Sequence, residues 1–180
     1  MAKVWAESVF HGYGSNACIR SRHHDRFPIV KLTHPHTAAR HLIQHEFRRL
    51  KELATTQVPI PQFDEHPLED EDGVFAYSME LLHRIPYEES KSASYAREVE
   101  DMVTLLHEQG FAHGDLSPSN VMRNSQGRLV SIDFGFTGRL GQDVPACVPR
   151  WVYRDDTVHA RGDDGNLLRL FPFQQCRSTL

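Results

Sequence analysis

Apolar residues recur at helical spacing in two stretches of the chain. In residues 37–54 they fall three or four positions apart with basic residues on the other side, which predicts an amphipathic helix. Residues 94–107 repeat this pattern, and Gly110 stands where a left-handed residue would end the helix. We therefore expect two helices that each bury one face.

Shorter apolar runs in the first half predict strands. Residues 4–10 and 27–32 lie on either side of a glycine-containing turn, 12–16, and we expect them to pair as a hairpin. An acidic stretch, 64–72, predicts an exposed loop that leads into a strand at 74–82. The first half is thus expected to combine a small sheet with the first helix.

The second half of the chain predicts a hairpin followed by few regular elements. Residues 121–122 and 129–132 flank a turn at 124–127, which indicates two short paired strands. Glycine and proline dominate beyond residue 136, apart from a predicted short helix at 163–171 and a frayed tail at 173–180. Strands and helices together indicate the α+β class.

Composition and charge restrict the classes of function. The chain has 180 residues, of which 39% are hydrophobic and 24% charged, which suits one folded domain or two small lobes. Its net charge is -4 at pH 7, so no general attraction to nucleic acid or anionic lipid is expected. The apolar runs are far shorter than the roughly 20 residues that span a bilayer. We expect neither a nucleic-acid partner nor a membrane.

Cysteine and histidine usage bears on location and on metal binding. The 3 cysteines are far apart and odd in number, and no apolar leader opens the chain, which predicts a reducing cytoplasmic or nuclear setting. Among the 12 histidines, His41 and His45 lie one helical turn apart. No cysteine or carboxylate completes a zinc-site spacing around them, so we expect both to face solvent.

The densest chemical signal runs from His113 to Asn120 and continues at Asp133-Phe134-Gly135. This pattern suits the handling of a nucleoside triphosphate with magnesium. Mg²⁺ prefers oxygen ligands and is usually held by one or two side chains plus phosphates, and Asn120 and Asp133 can supply such oxygens. Asp115 then remains free to accept a proton from a hydroxyl.

This combination resembles the signature of the protein-kinase-like superfamily, in which a catalytic loop H-R-D-x-x-x-x-N precedes a D-F-G motif. Here the loop begins His113-Gly114-Asp115 and ends at Asn120, and the D-F-G motif is intact. The resemblance implies a two-lobed α+β fold. Its β-rich N-lobe would be residues 1–82, and its shortened, mainly helical C-lobe residues 83–180.

Departures from the protein-kinase pattern narrow the set of kinase-like families that the chain resembles. Gly114 replaces the arginine that reads an activation-loop phosphate in many protein kinases, so we expect no such control. Ser117 replaces a lysine common in Ser/Thr kinases, and 45 residues (136 to 180) follow the D-F-G motif. The chain is thus similar to the small atypical kinases, namely the KEOPS-complex kinase and the RIO kinases, and to aminoglycoside phosphotransferase-like enzymes. Asp163 or Asp164 would either begin a helix that supports the catalytic loop or begin a solvated one.

The resemblance also implies residues that bind ATP upstream of the catalytic loop. Gly12, Gly14 and Ala17 resemble the glycine-rich loop whose backbone amides approach the phosphates, with alanine in the last position. Glu80 and Leu82 belong to a segment that resembles the hinge, where the adenine ring would meet backbone groups. All five are therefore candidate nucleotide-binding residues.

Glu46 supplies a physical argument beside the resemblance. At 100° per residue it falls within the apolar arc of its helix, so the buried face carries a carboxylate. Desolvating an unpaired charge is costly, so Glu46 needs a cation, and Lys31 on the preceding strand is the nearest candidate in sequence. In kinase-like enzymes this pair holds the lysine on the α- and β-phosphates, which would make both residues catalytic. In a loosely packed helix, Glu46 would instead reach solvent.

Three functions remain open at this point. The first is a kinase that uses ATP and Mg²⁺ to phosphorylate a hydroxyl, with protein Ser or Thr as the favoured acceptor and Asp115 as the base. The second is a phosphotransferase that acts on a small molecule such as an amino sugar or a choline-like alcohol. The third is a non-catalytic pseudokinase module that binds nucleotide. The short C-lobe also suggests a protein partner that completes it.

Overall fold

The N-terminal half is built around a sheet of five antiparallel strands, seen in a computed structural model. The structure describes residues 8–13, 17–23, 26–33, 39–69, 74–154, 156–160 and 163–164. The strands are β1 (Ser8–Tyr13), β2 (Ala17–Arg22), β3 (Ile29–Thr33), β4 (Leu68–Glu69) and β5 (Phe75–Met79). Their order is β1-β2-β3-β5-β4, so β3 lies at the centre of the sheet.

Helix α1 (Ala39–Leu53) packs against this sheet through its apolar face. The Phe47 ring centroid lies 5.7 Å from that of Phe75 and 5.6 Å from that of Tyr77, and all three side chains are buried. Aromatic packing of this kind dominates the energetics of a small core. It holds the helix so that Glu46, on the same face, points toward β3.

The C-terminal half combines a long helix with short strands and single turns of 3-10 helix. Its elements are α2 (Tyr87–Ser90), α3 (Ala93–Glu108), β6 (His83–Arg84), β7 (Phe111–Ala112), β8 (Val121–Arg123), β9 (Leu129–Ser131), β10 (Gly138–Arg139), and 3-10 helices at Pro118–Asn120, Phe134–Phe136 and Arg150–Val152. Strands β6, β8 and β9 form one small sheet, and β7 pairs with β10. Helix α3 packs on the first of these sheets. Within the described ranges, the helices lack the length and apolarity of a membrane span.

Helix α3 and the hairpin that follows it agree with the sequence prediction. Ser92 caps the helix by accepting a hydrogen bond from the backbone N–H of Tyr95 at 3.1 Å. Gly110 has φ +80°, which confirms the left-handed residue predicted at the end of this helix. The second hairpin is confirmed as β8 and β9, and Gly127 in its turn has φ +75°.

The first predicted hairpin is wrong. The strand that pairs with β1 is β2, whereas the run 27–32 contains most of β3, which pairs with the other edge of β2. The sequence concealed β2 because its second half, Arg20-Ser21-Arg22, is polar; Arg20 donates to Ser8 Oγ on β1 at 2.6 Å. Gly12 lies within β1, beside a bulge, rather than in the turn. Residues 14–16 of that turn lie outside the described residues.

Other boundaries need smaller corrections. The acidic stretch at 64–72 contains β4, which pairs with β5 and is therefore more than a loop, and the strand predicted at 74–82 ends at Met79. Residues 4–7 of the first predicted strand and residues 37–38 of the first predicted helix lie outside the described residues. So do residues 165–180, which include most of the helix predicted at 163–171 and the whole predicted tail.

The two histidines of α1 differ in their surroundings. His41 is exposed, as expected, but His45 is buried and its Nε2 lies 2.7 Å from the backbone oxygen of Thr137. The expectation that both face solvent is therefore wrong for His45. The reason is tertiary, because the segment that follows the D-F-G motif packs over this side of the helix.

Candidate active site

Lys31 lies in a group of three charges between the N-terminal sheet and the C-terminal half, in which Lys31 and Glu46 are buried and Asp133 is half-exposed. Its Nζ is 2.9 Å from Oε1 and 2.7 Å from Oε2 of Glu46, and 2.7 Å from Oδ1 of Asp133. Lys31 is 8% exposed and Glu46 is 1% exposed, so this ion pair is shielded from solvent. The predicted Lys31–Glu46 pair is present, and the alternative in which Glu46 reaches solvent is wrong.

The surrounding charges keep Lys31 in its ammonium form. Burial by itself lowers the pKa of Lys31, but the carboxylates of Glu46 and Asp133 outweigh burial and raise that pKa above its ordinary value. The Lys31 charge in turn holds the pKa of Asp133 below its ordinary value, against the opposing effect of burial. One cation therefore serves two carboxylates, and the group has a net negative charge that suits an additional divalent cation.

Asp133 reaches Lys31 from a left-handed backbone conformation, with φ 68° and ψ 54°. A non-glycine residue in this region costs on the order of 1–3 kcal/mol, so the surrounding structure must hold it there. Phe134 does so, because its side chain is fully buried and its ring centroid lies 5.0 Å from that of His113. The packing of Phe134 thus directs the Asp133 carboxylate toward the cleft.

Asp115 and Asn120 are adjacent in the catalytic loop. The Asn120 Nδ2 group donates to the backbone oxygen of Asp115 at 2.8 Å and to its Oδ2 at 3.3 Å. The Asn120 backbone oxygen accepts from the N–H of Ile132 at 2.9 Å, which ties the loop to the residue just before Asp133. Burial, followed by the nearby Asp133 charge, raises the pKa of Asp115, so its carboxylate is a stronger base than a solvated one.

The buried carboxylate of Asp163 holds the start of the catalytic loop in place. Asp163 is 0% exposed and accepts from the backbone N–H groups of His113 at 2.6 Å and Gly114 at 3.0 Å. The Nε2 of His107, on α3, lies 3.1 Å from Asp163 Oδ2. Of the two alternatives for this position, the structure supports the one in which Asp163 supports the loop.

Position 114 requires glycine both for its backbone conformation and because neighbouring atoms leave no room for a side chain. Its φ is +80°, and a Cβ atom added to it would lie 2.7 Å from the Phe136 oxygen and 2.7 Å from the Tyr153 hydroxyl. Tyr153 itself donates to the Phe136 oxygen at 2.7 Å. The arginine of the protein-kinase pattern therefore has no room in this loop.

The predicted site residues meet at one cavity of about 1050 Å³. Those that line it are Gly12, Ala17, Lys31, Glu46, Glu80, Leu82, Asp115 and Asp133. Asn120 is buried beside Asp115 instead of lining the cavity, and Gly14 lies outside the described residues. Residues more than a hundred positions apart in the chain thus share one cleft.

The segment predicted as the hinge borders the apolar end of the cavity. The Glu80 N–H donates to the Gln62 oxygen at 2.9 Å, and Glu80 Oε1 accepts from the Gln62 N–H at 2.7 Å. The Glu80 carboxylate is therefore engaged with the backbone next to it, while Leu82 contributes apolar surface to the cavity. The adenine-binding role of this segment stays a prediction.

A comparison with protein families decides the relationship of the chain. The family model described as RIO domain matches residues 16–137, a stretch that includes Lys31, Glu46, Asp115 and Asp133. The chain belongs to the RIO-domain family. This RIO domain is a member of the protein-kinase-like superfamily, so the resemblance inferred from its motifs and the predicted kinase-like fold class are confirmed.

Individual relatives support the same assignment. The RIO domain is 36% identical over 90 residues (50% of this chain, 33% of the relative) to the KEOPS complex subunit Bud32 of Pyrococcus abyssi. It is 28% identical over 134 residues (74% and 20%) to a probable bifunctional tRNA threonylcarbamoyladenosine biosynthesis protein of Methanosarcina acetivorans. It is 34% identical over 88 residues (47% and 19%) to the serine/threonine-protein kinase AtPK1/AtPK6 of Arabidopsis thaliana. The matched part spans a third or less of each of these relatives.

The ligand atoms of this RIO domain fit a magnesium ion that is shared with phosphates. Asp133 offers carboxylate oxygen, and the side-chain oxygen of Asn120 accepts no hydrogen bond within the described part of the chain. The described residues contain no cluster of three or more His, Cys, Asp or Glu side chains that could hold a metal by themselves. A site with few protein oxygens is typical of Mg²⁺, which keeps waters and binds substrate phosphates.

Sequence reasoning missed the residues that hold the RIO-domain site in place. Three hydrogen bonds do this: His45 to the Thr137 oxygen after the D-F-G motif, Tyr153 to the Phe136 oxygen, and His107 to Asp163. The partners of these bonds lie 92, 17 and 56 positions apart in the chain. No local pattern signals such pairs, since each is created only when distant elements pack together.

Proposed function

We propose that this RIO domain binds ATP with Mg²⁺ in its cleft and transfers the γ-phosphate to a hydroxyl of a protein Ser or Thr. The observation that carries the proposal is the position of Lys31. It contacts both Glu46 and Asp133 in a cavity that Asp115 also lines. A cation, a carboxylate for a metal and a carboxylate with a raised pKa are the parts that phosphoryl transfer requires.

Each side chain has a distinct task in this proposal. Lys31 holds the phosphates, and Glu46 keeps the ammonium of Lys31 in position. Asp133 and Asn120 would hold Mg²⁺, which supplies positive charge to the phosphate oxygens. Asp115 orients the acceptor hydroxyl and accepts its proton as the bond to phosphorus forms.

We place the boundary between the two lobes after Leu82, at the end of the hinge segment.

The relatives support the proposed chemistry and suggest a protein partner. One is named as a serine/threonine-protein kinase, and another as a subunit of the KEOPS complex. Because the matched part spans a third or less of these relatives, their activities and assemblies carry over only as proposals. We propose that this RIO domain likewise acts with a protein partner.

Incubation with labelled ATP and Mg²⁺, with a protein mixture as acceptor, tests the proposed function. Loss of a general base typically lowers a rate by about 10²–10⁴-fold, so Asp115→Asn should abolish most transfer while ATP still binds. Loss of a charge worth roughly 4 kcal/mol at about 4 Å lowers a rate by nearly three decades, so Asp133→Asn should lose transfer and also bind ATP more weakly. Asp101→Asn, at an exposed aspartate of α3, is the matched control.

The same experiment separates the alternatives. Equal transfer by wild type and Asp115→Asn would contradict the proposal. ATP binding without any transfer or hydrolysis would indicate a pseudokinase module. Mass spectrometry of parallel reactions with a metabolite mixture would reveal a small-molecule acceptor if labelled phosphate appears there and not on protein.

A further inference from the structure

Trp151 is a large aromatic side chain exposed at the cleft. It is 70% exposed, although it lines the same cavity as Asp115 and Asp133. Its ring meets that of Phe136 edge to face, with centroids 5.6 Å apart and an interplanar angle of 89°. Phe136 itself follows Asp133 by three residues. An exposed tryptophan therefore adjoins the motif at the reacting end of the cleft.

The segment that carries Trp151 is anchored on both sides. Val148 and Tyr153 are buried, at 4% and 6% exposed, and both belong to the cluster that includes Ala112. Tyr153 also donates to the Phe136 oxygen at 2.7 Å. Between these anchors the chain forms a 3-10 turn at Arg150–Val152. The indole is thus held in position while it remains open to solvent, as in binding sites that rely on a preorganised aromatic side chain.

The cavity is large for a single small-ligand site. Its volume of about 1050 Å³ lies just above the usual range for such sites, roughly 300–1,000 Å³. Ala17, Met79 and Leu82 line the apolar end, and Lys31 and Asp133 line the phosphate end. Pro149 and Trp151, from a different segment, line a further part of the wall. That part is available to the molecule that receives the phosphate.

The acidic groups that line the cavity are already engaged, which argues against a cationic small molecule there. Glu46 and Asp133 contact Lys31, and Glu80 accepts from the backbone of Gln62. The fourth carboxylate, Asp115, accepts from Asn120 Nδ2 and is the proposed base. Arg84 also lines the cavity, and an arginine directly precedes Trp151 in the chain. An amino sugar or choline-like alcohol would need free acidic groups or an aromatic cage free of neighbouring cations.

We infer that Trp151, with Phe136 and Pro149, forms an acceptor subsite for a polypeptide, and that it takes an apolar side chain next to the acceptor serine or threonine. This inference rests on the proposed function, because it assigns the acceptor of that same site. The indole and proline surfaces would bury the apolar side chain while the neighbouring hydroxyl faces Asp115. Trp151 thereby determines specificity and takes no part in the chemical step.

Paired peptides test the subsite in the full chain. Each pair has one serine and differs only in the positions next to it, which hold leucine in one peptide and aspartate in the other. We expect kcat/KM to be at least tenfold higher for the leucine peptide, which corresponds to about 1.4 kcal/mol. Trp151→Ala should remove this preference. Tyr87→Ala, at a tyrosine 71% exposed that lies away from the cavity lining, should keep it.

Binding measured by fluorescence distinguishes failure of the subsite from failure of the proposed function. The sequence contains 2 tryptophans, so Trp5→Phe leaves Trp151 as the reporter. The leucine peptide should change its emission saturably, and the aspartate peptide should not. Peptide binding without phosphorylation would overturn the proposed function and keep the subsite. The subsite would be overturned if phosphorylation showed no leucine preference or if neither peptide gave a saturable signal. A signal with choline or kanamycin alone would also overturn it.

Discussion

Lys31 is the residue whose loss should affect the candidate site most. It neutralises the buried Glu46 and also contacts Asp133. In Lys31→Met these carboxylates lose their cation, and breaking a buried pair by removing one partner costs about 3–5 kcal/mol. We expect a loss of that order in the free energy of unfolding, measured with urea, together with loss of phosphate transfer. Lys91→Met, at an exposed lysine, should change neither, and a fully stable Lys31→Met protein would contradict the assigned pairing.

Gly114 gives a second prediction at the residue scale. Gly114 and Gly127 both have positive φ, at +80° and +75°, but only Gly114 has heavy atoms within 4 Å of an added Cβ. Gly127→Ala should therefore cost about 1–2 kcal/mol of stability from backbone conformation alone. Gly114→Ala should cost clearly more, because its Cβ would meet the Phe136 oxygen and the Tyr153 hydroxyl at 2.7 Å. Urea unfolding of both variants measures the difference, and equal losses would show that the space around Gly114 is not limiting.

At the scale of elements, α3 and the catalytic loop are joined through His107 and Asp163. The hydrogen bond from Asp163 raises the pKa of His107, and the charges of Asp163 and Asp164 act in the same direction, although burial opposes them. A histidine with a raised pKa in the folded state stabilises the fold fully below the unfolded pKa of about 6.5. That contribution is lost as the pH rises through the folded pKa.

A pH series of unfolding measurements tests this link. Wild type should exceed His107→Gln in the free energy of unfolding by more at about pH 6 than at about pH 8.5, because protonated His107 interacts more strongly with Asp163. Thr104→Ala, at an exposed position of α3 that carries no titratable group, is the control and should show no such trend. A gap between wild type and His107→Gln that widens as the pH rises would reverse the assigned sign.

Helix α1 is joined to the segment after the D-F-G motif by His45. Its Nε2 lies 2.7 Å from the backbone oxygen of Thr137. His45 directly precedes Glu46 in the chain. His45→Leu should leave that carbonyl without its partner, which costs about 1–3 kcal/mol. His45→Gln retains an N–H donor and should recover part of the loss. Urea unfolding of the two variants gives the comparison, and equal stability of both would show that the hydrogen bond is unimportant.

At the scale of the whole molecule, ligand binding between the sheet and the catalytic loop should stabilise the fold. A ligand present at about 100 times its Kd adds about 2.7 kcal/mol by mass action. We expect ATP with Mg²⁺ to raise Tm by several degrees, and EDTA or Asp133→Asn to remove most of that rise. Asp101→Asn should respond as wild type does. An identical rise with ATP in EDTA would contradict a metal held by Asp133.

The sequence by itself determined which residues form the candidate site and which elements depend on neighbouring residues. The spacing of Asp115, Asn120 and Asp133 identified the superfamily, and helical periodicity placed a carboxylate on the buried face of α1. The end of helix α3 and the turn of the second hairpin could be predicted from local sequence. The residues that form them, Ser92, Gly110 and Gly127, act through residues a few positions away. Strand β2 was missed because Arg20 and its polar neighbours hide the alternation that marks a strand.

Only the tertiary structure decided which distant residues support that chemistry. Whether Asp163 held the loop or faced solvent, and whether His45 was buried, depended on elements far away in the chain. The space that restricts position 114 is created by Phe136 and Tyr153, and Trp151 borders the cleft only because its flanking residues are buried. Packing brings these groups together through contacts that have no sequence period, and for that reason no pattern along the chain predicts them.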